Sequence, residues 1–152
     1  MIEFHERFEV AASPERVWQV LSDPYAVVDC VPGAAIVGQQ DDGSYDATVA
    51  VKFGPTRVTF RARVSLELDE AAHTGRVMAQ GRDNVGGTRM RSAANFGVLP
   101  GPGASGSSVA IDGTVEVSGR LASLIEGGAS IVVKRMAGEF AERLAERCGA
   151  AV

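Results

Sequence analysis

The stretch from Thr56 to Asp69 reads TRVTFRARVSLELD, and from Arg57 onward its polar and apolar residues alternate. A period of two residues is typical of a β-strand that has one face against a core and the other in water. The apolar positions of this strand are Val58, Phe60, Ala62, Val64, Leu66 and Leu68. The stretch therefore predicts a long strand in a sheet that is apolar on one face.

Alternation on both sides of this strand extends the sheet. Segments with the same period are predicted as strands at 2–11, from residue 35, and at 45–53, 74–83, 88–98 and 107–118. Turn residues separate several of them, at Asp41-Asp42-Gly43, Gly54-Pro55 and Gly86-Gly87. Short connections join antiparallel neighbours, so the sequence predicts a twisted antiparallel sheet of about six to seven strands.

Two helix starts follow the first strand. Ser13-Pro14-Glu15 supplies a capping hydroxyl, a proline at the first helical position and an acid in the first turn. Asp23-Pro24 repeats this start signal, and Pro32-Gly33 ends the second short helix. Trp18 lies on the apolar side of the first helix, so we expect it to anchor the core between that helix and the sheet.

The period changes to that of a helix after residue 120. Apolar residues recur there at spacings of three and four, with charged residues opposite; they are Leu121, Leu124, Ile125, Val132, Met136, Phe140 and Leu144. Gly127-Gly128 falls inside this pattern, and each glycine costs a helix about 1 kcal/mol relative to alanine. We therefore expect the pair to interrupt the long C-terminal helix, by a bend or at a close backbone approach.

These elements predict an α+β domain. With 152 residues, the chain is long enough for one hydrophobic core. A single helix that crosses a strongly twisted antiparallel sheet touches it along only part of its length. The sequence thus predicts one domain over 1–148, a short tail over 149–152, and an apolar cavity between the sheet and the last helix.

Composition excludes several classes of function. The formal net charge is -4 and the basic residues are dispersed, so no nucleic-acid surface is predicted. Cys30 and Cys148 are far apart in sequence, which favours free thiols in a reducing, cytoplasmic location. The acidic start of the chain is unlike a secretory signal, and no segment approaches the roughly 20 apolar residues of a transmembrane helix.

The motifs typical of catalytic and metal sites are weak. Residues 101–106 match Gly-x-Gly-x-x-Gly but precede a strand instead of a helix, so they predict a flexible hairpin tip. His5 and His73 are the only histidines, and both are predicted to be exposed. Because no nucleophile elbow and no metal-ligand spacing occurs, we predict no catalytic residue, no metal and no cofactor.

Inward sheet positions and the apolar side of the last helix supply the candidate binding residues. We expect one pocket for a hydrophobic small molecule, lined by Phe60, Ala62, Met90, Phe96, Ile111, Met136 and Phe140. Glu6 shares the apolar face of the first strand, where an ionised carboxylate is costly unless it is paired or hydrated. Glu6 either looks into this cavity or lies at the open edge of the sheet, and both alternatives stay open.

The sequence resembles the START-like, helix-grip superfamily, often labelled SRPBCC, at Phe8-Glu9-Val10, at Ser13 to Trp18 and at Leu21 to Pro24. Within that superfamily it is similar to the family of the carbon monoxide dehydrogenase G subunit, at Cys30 to Ala34, Val51 to Pro55, Gly119 to Ala122 and Gly127-Gly128. The resemblance spans nearly the whole chain. It implies the helix-grip fold.

Members of that family are accessory proteins of molybdenum-containing CO dehydrogenase and related hydroxylases, implicated in membrane attachment and in binding a lipophilic quinone. The resemblance therefore implies a non-catalytic carrier of a lipid-like or quinone-like molecule, with a molybdenum hydroxylase complex as protein partner. Family members often continue into a membrane-binding tail, whereas this sequence ends at 149–152. We expect a cytoplasmic protein, with peripheral attachment at the inner face of the membrane as the alternative.

Two other functions are compatible with the same fold. A polyketide cyclase- or dehydratase-like enzyme would need polar groups that converge inside the cavity. Glu6, Arg89, Arg91 and Asn95 are the residues to test for it, although alternation places the last three opposite the inward side chains. A structural or protein-interaction module would instead have sheet and helix packed together without a cavity.

Overall fold

The computed structural model of the chain describes residues 1–101 and 106–149. Its strands are β1 (Ile2–Val10), β2 (Ala34–Gln39), β3 (Tyr45–Phe53), β4 (Thr56–Asp69), β5 (Thr74–Asp83), β6 (Thr88–Pro100) and β7 (Ser107–Gly119). Its helices are α1 (Pro14–Leu21), α2 (Pro24–Val28) and α3 (Ala122–Arg147). The predicted element order is confirmed. Residues 102–105 of the predicted hairpin tip and 150–152 of the predicted tail lie outside the described residues.

The strands form one seven-stranded antiparallel sheet in the order β1-β7-β6-β5-β4-β3-β2. From β2 to β7 each strand pairs with the next one in the chain, and β1 pairs with β7. Exposed and less exposed residues alternate along β1, as its two-residue period predicts. The predicted α+β fold class is therefore confirmed, with a sheet at the upper end of the predicted size.

Both short helices begin at the predicted capping residues. The Ser13 hydroxyl accepts a hydrogen bond from the Arg16 backbone N–H at 3.2 Å. The Asp23 carboxylate accepts from the backbone N–H groups of Tyr25 and Ala26, at 3.0 and 3.4 Å. These bonds satisfy amide groups that have no partner inside the helix, which explains why each helix starts where it does.

Helix α3 runs without a break through Gly127 and Gly128, so the predicted interruption of the helix is wrong. A Cβ atom at Gly127 would meet no atom within 4 Å, whereas one at Gly128 would lie 3.2 Å from Cδ1 of Phe53. The predicted close approach therefore occurs at Gly128 alone. Packing of α3 against the sheet outweighs the low helix propensity of the two glycines.

Trp18 is buried, as predicted, with 4% of its surface exposed. Its indole Nε1–H donates a hydrogen bond to Glu70 Oε2 at 2.8 Å. The His73 ring stacks on the indole, with ring centroids 5.3 Å apart and an interplanar angle of 16°. The prediction that His73 is merely exposed is wrong, because this stacking makes it half-buried. His5 is exposed, as predicted.

The buried apolar residues form two separate clusters. The α1 cluster consists of Val10, Val17, Trp18, Val20, Leu21, Ala26, Cys30, Val98, Val109, Leu144 and Cys148. The β4 cluster consists of Phe53, Val58, Phe60, Ile125 and Val132. The α1 cluster joins the two short helices to the last turns of α3, and the β4 cluster joins the first half of α3 to β3 and β4. Buried apolar contacts thus hold the first half and the last turns of α3 against the rest of the fold.

Candidate functional site

On β5 and β6, small side chains line the inner face of the sheet between these clusters. Directly opposed residues form four successive rows there: Ala62, Gly81, Met90 and Val117; Val64, Ala79, Ser92 and Val115; Leu66, Val77, Ala94 and Gly113; and Leu68, Gly75, Phe96 and Ile111. On β5 and β6, the two middle rows present no side chain larger than valine. Larger side chains occur on β6 at both ends of this stretch, at Met90 and at Phe96.

The four residues of β5 and β6 in these middle rows, Val77, Ala79, Ser92 and Ala94, are only half-buried, although their side chains face the helix side of the sheet. Helix α3 explains this exposure, since its backbone lies close to β1, β7 and β3 and makes fewer close contacts with β4, β5 and β6. The helix therefore contacts mainly strands towards both edges of the sheet and spans its interior strands. We call the partly accessible inner face of β5 and β6 beneath the helix the hollow.

The separation of the two clusters along β6 follows from strand geometry. Met90 packs against the β4 cluster and Phe96 against the α1 cluster. Phe96 follows Met90 by six positions on β6, which is about 20 Å at 3.3–3.4 Å per residue. On α3, Met136 packs against the β4 cluster and Phe140 against the α1 cluster, so one helix face contributes to both ends.

A cleft of about 400 Å³ opens between β1 and α3. Ile2, Phe4 and Glu6 line it from the strand. Helix α3 contributes Glu126, Ala129, Ser130, Val133 and Lys134. Apolar side chains lie beside charged ones in this cleft. The Glu6 side chain is half-buried and lies on the inward side of β1, which is an edge strand. This position agrees with part of each alternative given for Glu6.

The predicted pocket residues all lie on the inner face or on the sheet side of α3, but they do not form one compact group. Phe60, Met90 and Met136 belong to the β4 cluster or pack against it. Phe96, Ile111 and Phe140 pack against the α1 cluster. Ala62 lies in the row of Met90, and Glu6 is directly opposite Ile111.

Sequence reasoning missed the small residues between these groups, above all Ala79, Ala94 and Gly113. Gly113 is required by sterics, since a Cβ atom there would lie 2.5 Å from Cζ of Phe4. The signal that identifies these residues is the pairing register: once the hairpins are aligned, the small inward residues of β5, β6 and β7 fall in adjacent rows.

Burial raises the pKa of the Cys30 thiol, and it raises the pKa of the Cys148 thiol as well. Both cysteines are free and buried in the α1 cluster. A raised pKa keeps a thiol protonated, and a protonated thiol is a poor nucleophile and a poor metal ligand. These cysteines therefore act as small core residues.

Within the described residues, no group of three or more His, Cys, Asp or Glu side chains is placed to hold a metal ion. In the same part of the chain, no helix has both the length and the apolar character needed to cross a bilayer.

Comparison of the sequence with known protein families identifies the family of this chain. The family of the carbon monoxide dehydrogenase G subunit (CoxG) matches residues 7–149. The chain belongs to the CoxG family. The resemblance noted in the sequence is confirmed over nearly its whole length, whereas no curated protein sequence matches the chain.

Several solved structures have the same fold as this CoxG-family chain. A conserved protein from Geobacillus kaustophilus is 15% identical, with a TM-score of 0.81 over 97% of this chain and 95% of that one. The Zhui aromatase/cyclase from a Streptomyces species is 14% identical, with a TM-score of 0.68 over 97% and 93%. A START superfamily protein from Mycobacterium smegmatis is 18% identical, with a TM-score of 0.60 over 97% of both chains. At these identities the likeness shows the helix-grip fold alone.

Proposed function

We propose that this CoxG-family protein is a non-catalytic carrier that holds an elongated apolar molecule, lipid-like or quinone-like, between the sheet and α3. The half-buried small residues beneath α3 carry this proposal. Apolar side chains left accessible inside a folded domain forgo about 25 cal/mol for each Å² that stays in contact with water. A bound apolar molecule would recover that free energy.

The walls of the hollow favour a flexible ligand. Met90 and Met136 line its β4 end, and methionine adapts its shape to irregular apolar surfaces. The distance of about 20 Å between Met90 and Phe96 along β6 matches a chain or a ring with a tail better than a compact molecule. The predicted residues Phe60, Ala62, Phe96, Ile111 and Phe140 complete the proposed lining, and Glu6 lies in the cleft between β1 and α3.

The proposed protein partner is a molybdenum hydroxylase of the carbon monoxide dehydrogenase type. This part of the proposal is supported by the family match over residues 7–149. In that role the carrier would deliver or receive an apolar molecule at the partner's surface, and it would carry no redox centre itself.

Among the described residues, the polar groups named for the enzyme alternative do not converge on the inner face. Arg89, Arg91 and Asn95 are exposed on the outer face, as their alternation with Met90 and Phe96 predicts. The inward carboxylate of Asp83 accepts hydrogen bonds through Oδ1 from the backbone N–H groups of Gly86 and Gly87, the latter at 2.9 Å, while its buried Oδ2 has no hydrogen-bond partner among the described residues. Among the four residues proposed for testing, Glu6 alone faces inward, which favours a carrier.

Native mass spectrometry tests the carrier directly. Protein purified from the organism that encodes it should retain an apolar molecule, which organic extraction releases for identification. Protein stripped in this way should then bind the short-chain quinone decylubiquinone in the same assay. If native protein carries no extractable molecule and stripped protein does not bind the quinone, the carrier proposal fails.

A bulky substitution inside the hollow locates the site. Met136→Trp should abolish quinone retention by filling the space beneath α3, at a stability cost of about 1–3 kcal/mol. Ala62→Trp should do the same from the sheet. The matched control is Ile131→Trp, on the same helix at a residue that is 73% exposed. Unchanged retention in folded Met136→Trp and Ala62→Trp would remove these residues from the site.

A further inference from the structure

Three arginines stand side by side on the outer face of the sheet, the face away from α3. Arg61 of β4 is directly opposite Arg82 of β5, and Arg82 is directly opposite Arg89 of β6. We call these three residues the arginine row. All three are exposed, and no ion pair between described residues involves them.

The arginine row is unfavourable for the isolated domain. Like charges that face each other directly on neighbouring strands destabilise their pairing. The chain as a whole carries a net charge of -4, so acidic residues are not scarce. Elsewhere on this face, Asp112 accepts hydrogen bonds from His5 at 2.7 Å and Arg7 at 3.1 Å. On this face, His5 and Arg7 are thus paired with Asp112, whereas the three arginines of the row have no ion-pair partner among the described residues.

Grooves flank the row. One, of about 600 Å³, is lined by Arg82 and Arg89 together with Arg91. Another, of about 800 Å³, is lined by Arg61 and Arg82 together with Arg63. Both lie on the outer face of the sheet and are larger than the cleft between β1 and α3. The row therefore combines unpaired cations with a shaped surface.

We propose that the arginine row docks an acidic helix of a partner protein, with carboxylates at positions i, i+4 and i+7. Opposed residues on neighbouring antiparallel strands have Cβ atoms about 4.5–5.5 Å apart. Residues three or four apart on one helix face have Cβ atoms about 5–6 Å apart. The two spacings match, and each guanidinium binds a carboxylate through two parallel hydrogen bonds.

The charges around the row favour a narrow acidic segment over an anionic bilayer. The register places Asp46 opposite Arg63, Glu116 opposite Arg91 and Glu67 opposite Arg76, all on the outer face. A bilayer would lie against this whole face and meet these carboxylates as well as the arginines. A helix lying along the row contacts the three arginines directly, whereas Asp46 and Glu116 lie in the adjacent row of the sheet, so a narrow helix contacts fewer acids than a bilayer does.

The test uses two alanine-rich helical peptides with the same three glutamates. One peptide places them at i, i+4 and i+7, and the other spreads them around the helix. Titration into the isotope-labelled protein, followed by NMR, should show tighter binding of the first peptide and shifts confined to β4, β5 and β6. Replacing the row with Arg61→Gln, Arg82→Gln and Arg89→Gln should weaken that binding about tenfold.

The control triple variant is Arg57→Gln, Arg76→Gln and Arg120→Gln, which removes the same charge from exposed arginines outside the row. Its affinity for the first peptide should change less than twofold. Equal loss in both triple variants, equal affinity for both peptides, or no binding of either would overturn the proposal. So would row-dependent binding to phosphatidylglycerol vesicles without peptide binding, which would assign the row to a membrane. Quinone retention should be the same in both variants, so this test is independent of the carrier proposal.

Discussion

Truncation of Trp18 should be among the most costly single changes in this domain. The indole is 4% exposed, stacks on His73 and lies 6.2 Å from the Phe96 ring, measured between centroids. It thus joins α1 to β6 and to the turn between β4 and β5. The change Trp18→Ala removes both ring contacts and the hydrogen bond to Glu70.

The size of the effect follows from the buried area. An aromatic side chain of this kind buries about 150–250 Å², which at about 25 cal/mol per Å² gives about 4–6 kcal/mol. Measured large-to-small substitutions of buried aromatic residues give about 3–5 kcal/mol, because neighbouring side chains partly close the cavity. We therefore expect Trp18→Ala to lower the free energy of unfolding by about 3–5 kcal/mol.

Urea denaturation followed by far-ultraviolet circular dichroism measures this change without relying on tryptophan fluorescence. Trp18→Phe should cost less, because it keeps an aromatic ring and loses the indole N–H, whose bond to Glu70 is worth about 1–3 kcal/mol. Ile131→Ala, at a residue that is 73% exposed, should stay within about 0.5 kcal/mol of the unmodified protein. A loss below about 1 kcal/mol for Trp18→Ala would refute its role as a core anchor.

Two further predictions concern α3 and the buried thiols. Gly127→Ala should raise the free energy of unfolding by about 1 kcal/mol in urea denaturation, since its new Cβ atom meets nothing within 4 Å. Gly128→Ala should raise it less, because its Cβ atom would lie 3.2 Å from Phe53. An equal increase for both variants would contradict the close packing at Gly128. Cys30 and Cys148 should react with a thiol reagent at pH 8 only as fast as the protein unfolds, in contrast to rapid reaction in guanidinium. Because burial raises both pKa values, the stability that protonated thiols contribute is complete below about pH 8.5 and is lost as the pH rises through the raised values. A denaturation midpoint that rises between pH 8 and pH 10 would oppose this assignment.

Much of the fold could be predicted because its signals are local. The alternation from Arg57 to Asp69 and the caps at Ser13 and Asp23 each depend on a few neighbouring residues, and the structure confirms them. The two errors arise from contacts that are distant in sequence. Gly127-Gly128 stays helical because α3 packs on the sheet, and His73 is half-buried because Trp18 lies against it.

The candidate site could be predicted only as a set of inward positions. Alternation tells which residues of a strand face inward, but it does not tell which of them are neighbours on adjacent strands. Phe60 and Phe96 therefore looked alike in the sequence, although they pack in different clusters at opposite ends of the hollow. Ala79 and Ala94 could not be identified from the sequence alone, because their position side by side on the inner face depends on the register between β5 and β6.

The alternation that builds the sheet also separates its two proposed surfaces. Along β4, Arg61 and Arg63 point outward while Ala62, between them, points inward beneath α3. On β6, Arg89 and Arg91 flank the inward Met90 in the same way. A strand cannot exchange the two sets without a one-residue slip, which would bury the arginines and expose the apolar lining. The residues that fix the hollow and those that form the arginine row are thus held in place by the same hydrogen-bonded register. A partner docked on the outer face would therefore be held on the strands that line the ligand, separated from it by the thickness of one sheet.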